Sequence, residues 1–175
     1  MPLISHERRS GRSRGVGLPP FQTLFECHRV DVYRFLVATA GPSDADDTFQ
    51  ETWIAALRAY PRLRHADNLR AWLFRIAQNK ATDAHRARGR RPIPVEAVPE
   101  SAAATPPAAE PDERSGLWDS LRALPAKQRT AVYCRTVLGM PYDELARLLE
   151  SSEEAARRNV HEGLKRLREE HEDDH

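Results

Sequence analysis

The side chains best suited to chemistry lie in residues 75–88, where guanidinium and amide groups recur on one side of a predicted helix. Positions three or four apart share a helix face, and here that face carries Arg75, Gln78, Asn79 and Arg86. Groups of these types hydrogen-bond the phosphates and base edges of nucleic acids. An ordinary solvated basic helix would show the same pattern, so this stretch alone leaves both interpretations open.

The charges of the chain are separated into patches although their sum is close to zero. Lys and Arg number 27 and Asp and Glu number 26, which gives a formal net charge of +1. Residues 75–91 carry six basic side chains against one Asp, and residues 157–168 carry five against one Glu. This separation predicts two basic contact surfaces and argues against general adhesion to polyanions.

No enzyme active site is predicted. Cys27 and Cys134 lie far apart, and neither has a second Cys or a His at metal-ligand spacing, so we expect two reduced thiols. The scattered histidines and carboxylates form no nucleophile–base pair. We therefore expect no enzyme activity, no cofactor and no metal. No apolar run is long enough to span a membrane and no signal peptide is present, which predicts a cytoplasmic protein without membrane insertion.

Three predicted helices within residues 20–88 would position the first basic surface. The first ends at Gly41-Pro42, after apolar residues that recur at helical spacing. We expect Ser43 to cap the second helix together with Asp46, and its predicted inner face is Phe49, Trp53, Ala56, Leu57 and Tyr60. The third follows a basic loop at residues 61–67, and its predicted inner stripe is Leu69, Trp72, Leu73, Ile76, Ala84 and the stem of Lys80. Such stripes pack three helices into a bundle.

The outer face of the second helix differs in character from that of the third, because it is mainly acidic. It carries Asp46, Asp47, Gln50, Glu51 and Arg58. Acidic residues in a first turn also suit the helix dipole. A capped, solvated surface helix therefore explains this face as well as a protein contact does.

The rest of the chain is predicted to form a second helical bundle and irregular segments. We expect a disordered tail at residues 1–19, a flexible linker at residues 89–114 and a short tail at residues 171–175. The linker holds six of the 13 prolines and is rich in acids, a composition that does not pack a core. The predicted fold class is all-α, with two small helical bundles, residues 20–88 and 115–170, on either side of that linker.

The second bundle is predicted to end in a helix-turn-helix. Its first two helices cover residues 117–124 and 125–138, with Val137 among the inward apolar residues. A third helix starts at Pro141, and we expect Ser151 to cap the last one together with Glu154. Gly163 interrupts the last helix at a cost of about 1 kcal/mol relative to Ala, which predicts a close packing contact there. Two helices joined by a short turn, the second one basic, match helix-turn-helix geometry.

Taken in order, these stretches resemble the extracytoplasmic-function (ECF) sigma factors of bacteria, in the sigma-seventy superfamily. Residues 44–58 are similar to their core-polymerase-binding motif, and residues 71–86 to their promoter-melting and minus-ten-reading helix. Residues 124–129 and 139–146 are similar to their carboxy-terminal domain, which reads the minus-thirty-five element. The resemblance covers residues 21–168 apart from the linker. It implies a sigma region two domain at residues 20–88 and a helix-turn-helix sigma region four domain at residues 115–170.

The resemblance implies an alternative sigma factor that directs promoter recognition, melting and transcription initiation. Its expected partners are promoter DNA, core RNA polymerase through the beta-prime clamp and beta subunits, and an anti-sigma factor, which often holds members of this family. The implied core-polymerase-binding residues are Asp44, Asp46, Asp47, Gln50, Glu51 and Arg58. The implied minus-ten DNA residues are Arg62, Arg64, His65, Asn68, Arg75, Gln78, Asn79, Lys80, His85, Arg86 and Arg88. The implied minus-thirty-five DNA residues are Arg157, Arg158, Asn159, Lys165 and Arg166.

One departure from the family pattern lies in the helix-turn-helix. The turn usually has a Gly where this chain has Glu150, and the last helix usually starts with small or Thr residues where this chain has Glu153 and Glu154. Carboxylates repel phosphates, which predicts weak upstream binding unless Glu154 serves as a cap partner.

Two other functions fit parts of the sequence. A stand-alone helix-turn-helix regulator would explain the last bundle, but it would leave residues 44–58 and the long linker without a role. A small enzyme acting on nucleic acid would need an acidic metal pair beside a basic groove, and the sequence has none.

Overall fold

The computed structural model of the chain describes residues 17–90 and 115–173, and all its regular elements are helical. A short 3-10 turn, Tyr60–Arg62, follows the second helix. The helices are α1 Phe21–Ala40, α2 Pro42–Ala59, α3 Leu69–Arg90, α4 Ser115–Ala123, α5 Ala126–Thr136, α6 Tyr142–Leu148 and α7 Glu153–Asp173. The predicted all-α class is confirmed.

Helices α1, α2 and α3 form the amino-terminal bundle around a core of aliphatic side chains and several aromatic rings. Phe35 and Phe74 are fully buried, and their ring centroids lie 5.4 Å apart in an edge-to-face arrangement. Phe25 and Trp53 pack in the same way at 4.8 Å. Such pairs add to the stabilisation that burial of their area already provides.

The start of α2 differs from the prediction. Gly41, at a φ of 96°, separates α1 from α2, and Pro42 is the first helical residue. Proline suits this position because its missing N–H would have no helical partner there. Ser43 therefore lies inside the helix and does not cap it, so that prediction was wrong; its Oγ accepts a hydrogen bond from Arg88 instead.

The predicted irregular segments are only partly described. Residues 1–16, 91–114 and 174–175 lie outside the described residues. Helix α7 continues to Asp173, three residues into the predicted carboxy-terminal tail. At the end of the predicted amino-terminal tail, Leu18 packs against the core and the carbonyl of Pro19 accepts a hydrogen bond from the Tyr60 hydroxyl. Helix α3 continues through Gly89 and Arg90, two residues into the predicted linker.

Two predicted inward-facing residues are exposed, and several buried ones were missed. Leu57 is 55% exposed and Val137 is 54% exposed, so their assignment to inner faces was wrong. Helix α3 buries a broader surface than its predicted stripe, because α1 and α2 cover one side of it and α5 and α6 cover another. The buried residues of α3 are Ala71, Leu73, Phe74, Ala77 and Ala81.

Helices α4 to α7 form the carboxy-terminal bundle, in which α7 packs closely on α5. A Cβ atom placed on Gly163 would lie 2.6 Å from Cγ2 of Val132, so the predicted close contact at Gly163 is confirmed. Helices α6 and α7 form the predicted helix-turn-helix. The cap of α7 differs, because Oγ of Ser152, not Ser151, accepts a hydrogen bond from the backbone N–H of Ala155, at 3.1 Å.

The two bundles pack against each other, a contact that the sequence did not predict. Tyr133 of α5 lies edge-on to Phe35 of α1, with ring centroids 5.5 Å apart, and both side chains are buried. Buried residues of both bundles belong to one hydrophobic cluster. The described residues therefore share a continuous core.

Candidate functional site

The exposed side of α2 carries an apolar residue within an acidic stripe. Asp47, Gln50, Glu51 and Arg58 are exposed, and the helical period brings them together with Ile54, which is 49% exposed. Sequence reasoning missed Ile54, although its spacing of four residues from both Gln50 and Arg58 would have placed it there. This face combines charge with an uncovered aliphatic side chain, as protein-binding surfaces do.

Three of the predicted α2 residues are engaged within the amino-terminal bundle. The carboxylate of Asp44 lies 2.5 Å from Nη2 of Arg88, and that of Glu51 lies 3.5 Å from Nζ of Lys80. Asp46 accepts a hydrogen bond from the Tyr33 hydroxyl, and burial together with this carboxylate raises the pKa of Tyr33. The first two contacts join α2 to α3.

An apolar groove lies beside the exposed face of α2. Its volume is about 460 Å³, and the apolar side chains that line it are Phe21, Phe25, Trp53, Ile54 and Leu57. Because Ile54 belongs to both the groove and the acidic stripe, the two surfaces are continuous. Leu57 is exposed because its side chain forms part of this open groove.

A pocket of about 280 Å³ lies at the amino-terminal end of α3. The loop before α3 and the first turns of the helix form its walls, with Trp72 and Leu69 among the apolar lining residues. Four of the predicted minus-ten residues line it: Arg64, His65, Asn68 and Arg75. Asn68 has a φ of 60°, a conformation that Asn tolerates better than most residues, and its carbonyl accepts the N–H of Trp72 at 3.0 Å.

Most of the other predicted minus-ten residues lie on one of two sides of α3. Gln78, Asn79 and Arg86 share the helix face of Arg75, which leads away from the pocket. Lys80 and Arg88 lie on the side that contacts α2. Arg62 is exposed in the 3-10 turn before the loop, and His85 is exposed on α3. The structure therefore brings part of the predicted set together at one pocket and its adjoining face.

Helix α7 presents exposed cations, and one of them lies over an aromatic ring. Arg158, Lys165 and Arg166 are exposed. The guanidinium of Arg157 lies 4.1 Å from the ring centroid of Tyr142, which is on α6. Asn159 is half-buried, and its amide donates to the carbonyl of Ala155 within the same helix, at 2.8 Å.

Tyr142 also contacts a second guanidinium. Arg135 lies 4.5 Å from the Tyr142 ring centroid and donates a hydrogen bond to the carbonyl of Met140, at 3.0 Å. The ring thus joins α5, α6 and α7 at the base of the helix-turn-helix. Glu153, one of the two unusual acids, lies 3.5 Å from Arg157. Its carboxylate and the Tyr142 ring both restrict where Arg157 can point.

Carboxylates of the carboxy-terminal bundle contact the basic side of α3. Glu144 of α6 makes a bidentate ion pair with Arg70, with distances of 2.7 and 2.8 Å. Glu150, in the turn after α6, lies 3.1 Å from Arg75. Arg147, on the same short helix as Glu144, lines the pocket at the start of α3.

The described residues contain neither a metal-binding cluster nor a membrane-spanning helix. In residues 17–90 and 115–173, no three His, Cys, Asp or Glu side chains lie close enough together to hold a metal ion. Within the same residues, no helix combines the length and apolar character needed to cross a membrane.

Each of the two bundles matches a known protein family. Residues 24–91 match the family described as Sigma-70 region 2, and residues 115–167 match the family described as Sigma-70, region 4. The first match contains the acidic face of α2, the pocket and α3. The second contains the helix-turn-helix.

Two curated relatives match most of the chain. The ECF RNA polymerase sigma factor SigD of Mycobacterium tuberculosis is 38% identical over 158 residues, which cover 84% of this chain and 74% of SigD. The RNA polymerase sigma factor CarQ of Myxococcus xanthus is 34% identical over 155 residues, which cover 85% of this chain and 87% of CarQ.

Solved structures show the same fold. The sigma factor RpoE of Bartonella quintana, solved with the anti-sigma factor NepR, aligns with a TM-score of 0.67 and 24% identity over 85% of this chain and 94% of RpoE. CnrH, solved with the cytosolic domain of CnrY, aligns with a TM-score of 0.67 and 24% identity over 89% of each chain. The two family matches and the identity to SigD show that the chain belongs to the extracytoplasmic-function sigma factors of the sigma-70 family.

Proposed function

We propose specific roles for the surfaces of this sigma factor. The chain is an alternative sigma factor: it binds core RNA polymerase and directs promoter recognition, melting and transcription initiation. We propose that the amino-terminal bundle makes the contacts with polymerase and with melted promoter DNA, and that the carboxy-terminal helix-turn-helix makes the upstream contact. We propose that the protein acts in the cytoplasm.

The pocket at the start of α3 is the observation that carries the DNA part of this proposal. It combines an apolar wall containing Trp72 with the polar groups of Arg64, His65, Asn68 and Arg75. A nucleobase flipped out of the duplex needs both, because unstacking costs a few kcal/mol and the pocket must offset that cost by stacking and hydrogen bonds. The adjoining face with Gln78, Asn79 and Arg86 would follow the strand that leads away from the flipped base.

The exposed side of α2 is the proposed docking surface for core polymerase. Asp47, Gln50 and Arg58 are exposed there, and Ile54 adds an aliphatic contact at the centre of the stripe. Partly exposed charges by themselves add little affinity and mainly influence orientation and the rate of association. We therefore expect Ile54 to supply binding energy and the charged residues to supply specificity.

The proposed upstream contact is the exposed basic side of α7. Arg157, Arg158, Lys165 and Arg166 would face the minus-thirty-five element, with Arg157 restrained by Tyr142 and Glu153. The amide of Asn159 is bonded within its own helix, so base contact by Asn159 would require that bond to break.

An anti-sigma factor is a further proposed partner. The solved structures of RpoE and CnrH each contain one partner protein, named as an anti-sigma factor in the case of NepR. In this chain the apolar groove beside α2 offers an uncovered surface that a regulator could occupy.

The test of the polymerase surface is an affinity measurement with purified core RNA polymerase. Ile54→Ala should weaken core binding by about tenfold, since loss of a central interface contact costs about 1–2 kcal/mol. The double change Asp47→Ala with Gln50→Ala should weaken it by a smaller factor, mainly by slowing association. Glu170→Ala, an exposed acidic residue of α7, is the matched control and should leave affinity unchanged. Unchanged affinity in the α2 variants, with circular dichroism showing an intact fold, would show that this face is only a solvated surface.

The test of the pocket separates melting from binding. His65→Ala combined with Asn68→Gly should reduce permanganate reactivity of promoter thymines in the presence of core polymerase, while core affinity stays the same. Gly is chosen because it accepts the positive φ of Asn68 without strain. Arg29→Ala, exposed on α1, is the control. Normal promoter melting by the double variant would show that the pocket has no role in melting.

A further inference from the structure

Helix α7 presents one line of side chains directly away from the carboxy-terminal bundle. Its buried side recurs every three or four residues and packs on α5 and α6. That side consists of Ala156, Val160, Gly163 and Leu167. Half a turn around the helix lies a line of exposed residues, which we call the outer stripe of α7: Glu154, Arg158, His161 and Lys165. A ligand that approaches α7 from outside the bundle therefore meets the outer stripe first.

Two other polar residues near the start of α7, both expected to contact upstream DNA, are restrained within the bundle. The guanidinium of Arg157 lies 4.1 Å from the ring centroid of Tyr142 and 3.5 Å from the carboxylate of Glu153. The amide of Asn159 donates to a backbone carbonyl of its own helix, at 2.8 Å. In the first two turns of α7, Glu154 and Arg158 are thus the side chains that point outward without such restraint.

The carboxylate of Glu154 is not used to stabilise the helix through a cap or an ion pair. The cap of α7 is Ser152, whose Oγ accepts a hydrogen bond from the backbone N–H of Ala155 at 3.1 Å. A glutamate often pairs with a cation four residues further along a helix, as Glu153 does with Arg157. Within residues 17–90 and 115–173, Glu154 makes no ion pair and no side-chain hydrogen bond. Its acceptor oxygens are therefore free to bind a donor outside the chain.

Carboxylate and guanidinium groups bind different bases. In a helix-turn-helix, the first residues of the second helix contact base edges in the major groove. A carboxylate accepts a hydrogen bond from the N4 amine of cytosine there, whereas arginine donates to O6 and N7 of guanine. Residues four apart on a helix are separated by about 6 Å along its axis, which is less than two base-pair steps of about 3.4 Å. Glu154 and Arg158 can therefore contact bases in neighbouring pairs.

We propose that Glu154 is a specificity-determining residue of this sigma factor, which accepts a hydrogen bond from the N4 amine of a cytosine in the upstream element. Arg158 contacts a guanine no more than two base pairs from that cytosine. This inference rests on the proposed role of α7 in the upstream contact. It gives a function to an acid at a position where the family usually has a small residue.

The unfavourable charge of Glu154 contributes to this specificity. A carboxylate repels the phosphates of every DNA sequence, so it lowers affinity in general. Thymine and guanine also present carbonyl oxygens in the major groove, which repel a carboxylate at close range. Only a base that donates an amine offsets these costs. Specificity is a difference between affinities, so the same side chain can weaken binding overall and still increase discrimination.

The first test examines which upstream sequences the holoenzyme selects. The chain is combined with core polymerase and with duplexes that carry a promoter located by transcript mapping, in which the upstream region is randomised. The bound duplexes should share an upstream element with a cytosine and a guanine no more than two base pairs apart. Replacement of that cytosine by thymine should weaken holoenzyme binding by about tenfold at fixed salt, the size expected for loss of one base contact.

Substitutions on the outer stripe then identify the side chain responsible. Glu154→Ala should bind the cytosine and thymine elements with equal affinity. Glu154→Gln should shift the preference at that position to adenine, because a glutamine amide matches N6 and N7 of adenine. Arg158→Ala should lose the preference for guanine and keep that for cytosine. Circular dichroism should show an intact fold in each variant, since both positions are exposed.

Two control variants separate base recognition from general electrostatics. Glu170→Gln removes one negative charge from the exposed end of α7 and should leave the tenfold discrimination unchanged. Lys165→Ala removes a cation of the outer stripe and should weaken binding to both elements by the same factor, because a phosphate contact carries no sequence information. A change in the ratio of affinities is thus expected only from substitutions at base-contacting residues.

The outcomes distinguish this inference from the proposed function. If Glu154→Ala tightened binding to both elements equally and left their ratio unchanged, the carboxylate would only repel phosphates and the proposal would be overturned. A selected element without the cytosine would also overturn it. Both results would leave the upstream contact by α7 standing. A holoenzyme that starts transcription at the mapped promoter but selects no upstream element would contradict the proposed upstream contact as well.

Discussion

The two basic helices, α3 and α7, differ in what covers them. Helix α3 is covered on two sides, by α1 and α2 and by α5 and α6, and its cations Arg70, Arg75 and Lys80 each face a carboxylate. Helix α7 packs mainly on α5 and α6, and its cations Arg158 and Arg166 are exposed. One basic helix is thus held by contacts within its own chain, while the other presents cations to solvent.

This difference shows that charge on a helix does not by itself predict accessibility. The cations of α3 include a pair with a largely buried carboxylate, so the favourable interaction within the chain must be lost before DNA can replace it. On α7 the exposed cations can meet phosphates without such a loss. We therefore expect phosphates to meet the cations of α7 at a lower cost than those of α3.

The largest effect is expected where α3 is most deeply packed. Phe74→Ala should lower the free energy of unfolding by about 3–5 kcal/mol, because it removes a fully buried ring and leaves a cavity. Urea denaturation followed by circular dichroism measures this change. Val137→Ala in the carboxy-terminal bundle removes an exposed side chain and should change stability by less than about 0.5 kcal/mol. A small effect of Phe74→Ala would contradict the two-sided burial of α3.

A glycine in each basic helix gives the next comparison. Gly163→Ala in α7 should destabilise the chain by about 1–3 kcal/mol, since the new methyl would lie 2.6 Å from Val132 and overpack the contact. Gly89→Ala in α3 meets nothing within 4 Å and should be neutral or stabilising by up to about 1 kcal/mol. Thermal unfolding of the two variants should therefore show shifts of opposite sign. Addition of Val132→Ala to Gly163→Ala should recover part of the loss, and failure to do so would place the clash elsewhere.

A smaller effect, on upstream DNA binding, is expected from Tyr142, whose ring lies under Arg157 of α7. Tyr142→Leu removes the ring on which Arg157 lies, an interaction of about 0.5–1 kcal/mol, so upstream DNA binding should weaken by about fivefold at most. The measurement is transcription from a promoter with an intact minus-thirty-five element and from one in which that element is replaced. Tyr142→Leu should reduce the difference between the two promoters, whereas Tyr142→Phe should keep it. If Tyr142→Phe and Tyr142→Leu reduced the difference between the two promoters equally, the ring would not position Arg157.

The smallest effect concerns pH. Burial, and then the Arg70 cation, lower the pKa of His28 below its usual value, while Asp31 and Glu144 act in the opposite direction. The folded chain therefore binds fewer protons than the unfolded chain, so stability should fall as the pH drops below the usual histidine pKa of about 6.5. Urea midpoints across this range should decrease, and His28→Gln should flatten that slope. An unchanged slope in the variant would assign the pH dependence to other groups.

Local features of the fold could be predicted from the sequence. Apolar residues at helical spacing predicted the helices, Gly41 and Pro42 predicted the break between α1 and α2, and Gly163 predicted the close contact with α5. The helices and the break depend on interactions within a few residues, and the close contact at Gly163 depends on the absence of a side chain there. The family was also predictable, because the order of several motifs limits the alternatives more than one motif does.

Most of the features that were missed depend on contacts distant in sequence. Arg70 and Glu144 are 74 positions apart, and a long linker between them allows many arrangements of the two bundles. Periodicity placed Leu57 inward because it is apolar, whereas the structure leaves it in an exposed groove. The cap of α7 was misplaced by one residue because Ser151 and Ser152 are chemically equivalent.

The central claim is that this chain directs RNA polymerase to promoters, and transcript mapping with purified components tests it most directly. Purified chain and bacterial core polymerase are incubated with genomic DNA fragments, and the 5′ ends of the transcripts are determined. Discrete start sites that depend on the chain, and that share two upstream elements at fixed spacing, are the predicted result. Start sites identical to those of core polymerase alone, or the absence of a complex with core polymerase in gel filtration, would contradict the account.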